Sequence, residues 1–303
     1  SQWMYSSGDF FPYKINQSLR FDDDSNTYLN RTPGSSGNRK TWTYSFWFKH
    51  GSRTAIFDFL LANGGSDPFF EFSLTSAQKF QIFYHNETML VSTRQLRDRS
   101  AWYHILLRHD TSQGTADNRL RIYVNGSELT NWDTNGRANL PQDFDGGVNQ
   151  SGVAHYIGRN HVGNNDLDGY MAEVHLVDGT SYGPENFGKT KAGIWIPKEY
   201  TGSHGTQGWY LPFDDGSALG DDESANTNDW TANAFGGTVD VMLDTPTNNF
   251  ATMMFDPPAA DINGYTLSEG NLKLTAASTG QYSGLRTTMN IPSTGKWYME
   301  VLR

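Results

Sequence analysis

The chain has 303 residues, 23 of them basic and 33 acidic, for a net charge of -10, and it contains no cysteine. That charge repels phosphate backbones and no run of Lys and Arg offsets it, which excludes nucleic acid as an expected partner; the missing cysteines exclude disulfide staples and thiolate metal sites. Aromatics at 14% against 18% charged residues, with 31 glycines, suit half-buried sheets joined by tight turns, so the expected fold class is all-β.

Taken in chain order, residues 1–17 form an N-terminal lead-in segment without the basic-then-apolar order of a signal peptide, and no apolar run approaches bilayer length, so no membrane insertion is expected. From Leu19 to Val177, short alternating or apolar runs are separated by polar turns, the spacing of a sandwich. The predicted strands are Ser18–Phe21, Tyr28–Arg31, Thr41–His50, Ala55–Leu61, Phe69–Thr75, Lys79–Tyr84, Thr88–Ser92, Trp102–His109, Leu120–Val124, Ser127–Thr130, Ala154–Gly158 and Gly169–Val177. Within Thr41–His50, period-2 alternation places Trp42, Tyr44, Phe46 and Phe48 on one face and Thr43, Ser45, Trp47 and Lys49 on the other, and one face must be core. Asn125-Gly126 between two strand-like runs signals a type I′ hairpin. Pro184 opens a short helical turn after Tyr182.

Past Trp209-Tyr210-Leu211 the periodicity stops. Residues 213–261 read as a polar, acidic extended linker, with Asp214, Asp215, Asp221, Asp222, Glu223 and Asp229 and no basic residue between Asp214 and Asp229. Composition of this kind is ordinarily disordered unless it is pinned against its own sandwich or a neighbouring chain.

Several segments carry a resemblance. Phe21-Asp22-Asp23-Asp24 with Tyr28-Leu29, Thr41–Lys49, Ala101-Trp102-Tyr103-His104-Ile105, Leu120–Gly126, Tyr156-Ile157-Gly158 and Asp168–Val174 resemble the successive motifs of laminin G-like domains. The resemblance covers roughly residues 18–182 and implies a two-sheet antiparallel jelly-roll sandwich of the concanavalin A-like type over 18–212. Ser6–Phe10, Trp195–Gly202, Gly208–Phe213 and the Asp244-Thr245-Pro246-Thr247-Asn248 element are similar to segments of tailed-phage appendage proteins from aquatic hosts. Asn271–Leu274 and Gly295–Val301 resemble the opening strands of a SPRY-type sandwich, incomplete over residues 262–303.

Candidate sites divide unevenly. Laminarinase-type glucanases of this fold aim a Glu-x-Asp-x-x-Glu cluster into one groove; the nearest approach here, Glu173 and Asp178, lies five apart with the two side chains on opposite faces. The eight histidines are scattered, with no His-x-x-x-His or Gly-x-Ser-x-Gly motif, and His104 is expected in the core or at its rim. No cofactor is expected, although Asp22, Asp23, Asp24 and Asn26 offer hard oxygen ligands of the kind calcium takes. Sugars are held by an aromatic face with hydroxyl-bonding neighbours. Trp132 with Asp133, Asn135 and Arg137 is one such loop cluster, and Arg159, Asn160, His161, Asn164 and Asp166 form a second.

The resemblance implies a non-enzymatic structural protein of a tailed-phage virion, a tail fibre, spike or related appendage, made in the host cytoplasm. Expected partners are other tail proteins, further copies of the chain (a homotrimer) and host surface polysaccharide. A glucanase-like enzyme and a secreted adhesion module are the alternatives on the same fold.

Overall fold

The computed structural model describes residues 10–51, 57–64, 68–163, 166–255, 265–276, 285–289 and 293–295. Apart from Phe10, which is α-helical, helical structure among the described residues is limited to single 3-10 turns, including Pro184–Asn186 with the proline in the first turn as its sequence position predicts. The strands of the first half are β1 (Ser18–Phe21), β2 (Tyr28–Arg31), β3 (Thr41–His50), β4 (Phe57–Asn63), β5 (Phe70–Thr75), β6 (Lys79–Tyr84), β7 (Glu87–Gln95), β8 (Tyr103–Asp110), β9 (Leu120–Val124), β10 (Ser127–Glu128) and β11 (Trp132–Asn135). They are followed by β12 (His155–Ile157), β13 (Gly169–Asp178), β14 (Gly188–Lys191), β15 (Ile194–Pro197), β16 (Trp209–Leu211), β17 (Thr231–Asn233) and β18 (Val241–Met242). Four short strands close the series: β19 (Met253–Phe255), β20 (Tyr265–Ser268), β21 (Lys273–Ala276) and β22 (Leu285–Thr287).

Two eight-stranded antiparallel sheets face each other. The first runs β10-β9-β8-β3-β13-β1-β18, with β16 also on β13; the second runs β11-β7-β6-β5-β4-β12-β2-β17. Between them Trp42, Tyr44, Phe46 and Phe48 of β3 meet Phe70, Phe72, Phe80 and Ile82 in one core. The hairpin at Asn125-Gly126 forms as the type I′ signal requires, with φ of 49° and 78° and Ser127 paired to Val124.

The two sheets differ on their outer faces. Every residue of β13 is buried, and in β3 only Thr41 is partly open, because the outer face of the first sheet is covered. Ile15 and Tyr13 pack on Trp47 and Tyr170, while Phe187 and Tyr200 pack on Leu106, Tyr123 and Val177. Lys49, on the face opposite the main core, ends fully buried against Asp244. The second sheet keeps the alternation of a half-solvated sheet: β6 reads partly open, buried, partly open, buried along Lys79–Tyr84.

Of the stretch read as an extended linker over 213–261, the part up to residue 250 is fastened to the sandwich, and 256–261 lie outside the described residues. β17 pairs with β2 and β18 with β1, so it extends both sheets. Periodicity missed this because side-chain turns hold the segment: Asp222 accepts from the backbone N–H groups of Tyr210, Ser224 and Asn228 at 2.8 Å each. Trp230 anchors it apolarly, packed edge-on against Trp209 at 4.9 Å. Lys273-Leu274, expected in the opening strands of a SPRY-type sandwich, lie in the β20–β21 hairpin, while residues 1–9 and 296–303 lie outside the described residues.

Candidate functional site

The first sheet is covered, and the outer face of the second sheet carries a set of half-buried aromatic rings. Strand register places one continuous row across it: Thr231, Asn30, Tyr156, Ala62, Glu71, Phe83 and Thr88. At about 4.8 Å per strand the row is about 29 Å long. Ala62 is fully buried between Tyr156 and Glu71, so the accessible part of the row is the half-buried rings and polar side chains on either side of it. Tyr28 lies 6.2 Å from Tyr156 on one side of Ala62, and Phe69 stacks on Phe83 at 5.2 Å on the other. Burial holds the Glu71 carboxyl above its ordinary value, with the His161 contact pulling it back. Beyond the β2 edge the face continues into a polar cleft of about 440 Å³ lined by Asn30, Arg31, Asn228, Asp229 and Thr231 among others.

The second predicted loop comes to this face. Arg159 places its guanidinium 4.2 Å from the Tyr28 ring and pairs with buried Asp166 at 3.4 Å. His161 contacts Glu71 at 3.2 Å and the Phe69 ring at 5.3 Å. Asn160 is buried, and Asn164 lies outside the described residues.

The first predicted cluster does not join it. Trp132 and Asn135 sit in β11, an edge strand on β7 that sequence reading took for a loop because Asp-Thr-Asn lacks strand character. That edge is five strand spacings from β12, about 24 Å away. Trp132 packs against the main core, and Arg137, 5% exposed, lies 5.2 Å from its ring while bonding the carbonyls of Asp117 and Leu120. Asp133 pairs with Lys79, and Asn135 accepts from Arg137 at 2.9 Å.

The sequence profile of the concanavalin A-like lectin/glucanases superfamily matches residues 23–182, just over half of the chain. This chain belongs to that superfamily. No curated protein matches its sequence. Among solved structures, a candidate carbohydrate binding protein from Bacteroides ovatus ATCC 8483 is similar, with 18% identity, a TM-score of 0.51, and 73% of this chain aligned to 59% of that one. A heptameric SAP-like pentraxin of Limulus polyphemus aligns over 56% of this chain and 79% of its own at 14% identity and a TM-score of 0.40. Domains LG4-5 of the mouse laminin alpha1 chain align over 62% and 47% at 11% identity and a TM-score of 0.37. This lectin/glucanase-superfamily chain therefore spans less than two thirds of the Bacteroides protein, and the likeness is one of fold.

Other chemistry in this superfamily member is accounted for by packing. Glu173 and Asp178 diverge: Glu173 sits at a bulge in β13 with φ 50°, turned to the covered outer face, while Asp178 ends the strand. There Asp178 accepts from the N–H groups of Asn38 and Gln207 at 2.7 and 3.0 Å and from Asn149 Nδ2 at 3.1 Å. His104 is buried with Nε2 2.9 Å from the Ser45 hydroxyl, and burial pushes its pKa down to about 3. Among the described residues, one carboxylate group has ligand spacing for a hard cation: Asp22, Asp23 and Asp168, with oxygens within 4.8 Å of one another. Asp168 replaces Asp24 and Asn26 of the predicted set. Asp22 already accepts from the Ser25 hydroxyl at 2.6 Å and the Asp24 N–H at 3.4 Å, so it is committed to its own turn.

Sequence reading missed Tyr28, Tyr156, Phe69, Glu71 and Phe83. The available signal was parity: in Lys79–Tyr84 and Tyr28–Arg31 the rings Phe83 and Tyr28 fall in phase with Gln81 and Asn30, on the solvent side.

Proposed function

We propose that this chain is a non-catalytic glycan-binding sandwich of a tailed-phage appendage, and that it grips saccharide on the outer face of its second sheet. The observation that carries the reading is the cluster of half-buried rings Tyr156, Tyr28, Phe69 and Phe83 on one sheet face, with Glu71, His161 and Arg159 beside them. Rings that present apolar faces stack on pyranose rings, and the flanking carboxylate, imidazole and guanidinium groups bond hydroxyls. The pairing of Glu71 with a histidine rather than a second carboxylate supports binding over glycoside hydrolysis, which needs two carboxyl groups across the scissile bond. The description of the Bacteroides ovatus protein as a candidate carbohydrate binder is consistent with this assignment.

The phage setting rests on the resemblance of Trp195–Gly202, Gly208–Phe213 and Asp244–Asn248, and with it come a homotrimer and attachment to other tail proteins. Two measurements test the proposal. Calorimetry of the purified chain against bacterial surface polysaccharides is expected to give saturable binding without reducing-sugar release; release of sugar would make it an enzyme, and absence of binding to any polysaccharide of the host would remove the lectin role. Peptide mass spectrometry of purified virions is expected to find the chain among the tail proteins, and its absence there would remove the appendage role.

A further inference from the structure

A fully buried lysine stands beside an asparagine and an aspartate from a turn two hundred residues later. Lys49 Nζ, on the covered face of β3, lies 2.7 Å from Asp244 Oδ2 and 2.9 Å from Asn249 Oδ1, and also reaches the Phe250 carbonyl at 2.6 Å. Its side chain is 0% exposed. Asp244 is fixed from behind, its Oδ1 accepting from Trp102 Nε1 at 2.8 Å and the Phe250 N–H at 3.3 Å. Asn249 comes in from the exposed turn that follows the Thr245–Asn248 bridge, and its amide nitrogen donates to the Ser100 carbonyl at 2.7 Å. The Tyr170 ring, itself buried, closes the site 6.0 Å from Nζ.

We propose that Lys49 and Asn249 form an intramolecular isopeptide bond, with Asp244 carrying the protons. The Lys49 amine lies 2.9 Å from the oxygen of the amide group it would attack, and the fold supplies that proximity without a cofactor. Burial disfavours the charged amine and holds its pKa below the ordinary lysine value, with the Asp244 charge pulling it back up. In such surroundings the ion pair passes readily to its neutral form: one proton moves from Nζ to Asp244 and leaves a nucleophilic amine. The Nζ–Cγ bond to Asn249 forms, protonated Asp244 gives its proton to Nδ2, the Cγ–Nδ2 bond breaks, and Asp244 then takes the excess proton from Nζ and passes it to the departing ammonia. Lysine ammonium and asparagine amide become a secondary amide and ammonium, with no oxidant or reductant required. The bond ties the C-terminal turn to the central strand of the first sheet, so that a pull on the extension is borne by the sandwich.

Intact mass of the denatured full-length chain, followed by peptide mapping, decides the matter. The expected result is a mass one ammonia below that of the sequence, with a branched peptide joining the Lys49 and Asn249 segments. Asn249→Ala, altered only on the exposed turn, is expected to fold and to show its full sequence mass. A wild-type chain at full mass overturns the proposal. So does an ammonia loss with only linear peptides, as a succinimide would give, and so does loss of water with a branch through Asp244.

Discussion

The Tyr210 hydroxyl donates to one Glu173 carboxylate oxygen at 2.7 Å while Tyr13 donates to the other at 2.8 Å, tying the lead-in segment and β16 to a bulge in β13. Burial and the neighbouring carboxylate push both phenols well above the ordinary tyrosine value, so both stay neutral donors. Glu173→Ala leaves two buried hydroxyls without their acceptor and is expected to lower stability by roughly 2–4 kcal/mol. Glu173→Gln keeps one acceptor and is expected to cost about half as much. Urea midpoints measure both; an unchanged midpoint in the alanine variant would mean that the carboxylate holds nothing together.

Acid is expected to destabilise the sandwich between pH 6.5 and about 4. His109 and His155 are both buried, and burial pushes both pKa values down from 6.5 to about 4. His109 Nδ1 donates to the Lys40 carbonyl at 2.9 Å with Nε2 3.2 Å from the Tyr84 hydroxyl, and His155 Nε2 accepts the Asn149 N–H at 3.0 Å. Both are bonded as neutral rings. The unfolded chain takes up these protons from about pH 6.5 downward while the folded chain does not, so stability is fully present above 6.5 and is lost as pH falls toward 4. Each histidine contributes up to about 3 kcal/mol over that window. Thermal melts from pH 7 to 4 are expected to fall steeply and, in His155→Gln, less steeply; parallel slopes would assign the acid lability elsewhere.

The alternation in Thr41–His50 and Lys79–Tyr84, together with the Asn125-Gly126 turn, was legible because strand parity and positive φ are local properties. That both faces of β3 are buried was not, because Lys49 reads as a solvent-side residue until Asp244 arrives from far along the chain. The site was half legible. Arg159 and His161 stood out as polar loop residues, but the rings they serve come from β2, β5, β6 and β12, and only sheet register brings them together. Trp132 drew attention by its composition, and its packing on the core is decided by Arg137 and the β7 edge.

Gly126→Ala is expected to destabilise the chain by roughly 2–3 kcal/mol. Its φ of 78° is costly for a residue with a side chain, and an added Cβ would fall 2.4 Å from the Trp195 ring, which covers the outer face of the first sheet. Asn125→Ala meets the same positive φ and loses the 2.8 Å bond from the His104 N–H to Asn125 Oδ1, but adds no Cβ against Trp195, and is expected to cost less than the glycine change. Chemical denaturation ranks the two; equal costs would show that the turn, rather than the contact with Trp195, limits this position.

Two aromatic substitutions separate the two predicted sugar loops. Tyr156 is half-buried at the centre of the open face, and Tyr156→Ala removes a stacking surface while leaving the core aromatics in place. It is expected to weaken polysaccharide affinity at least tenfold, which corresponds to about 1.4 kcal/mol, with a melting temperature close to wild type. Trp132→Ala removes a ring that packs on the core and supports Arg137, so it is expected to lower stability by roughly 2–4 kcal/mol and leave affinity unchanged. Calorimetric titration beside thermal melts reads both quantities on each variant. If Trp132→Ala abolishes binding in a folded protein while Tyr156→Ala binds normally, the saccharide sits at the β11 edge and not on the rings around Tyr156.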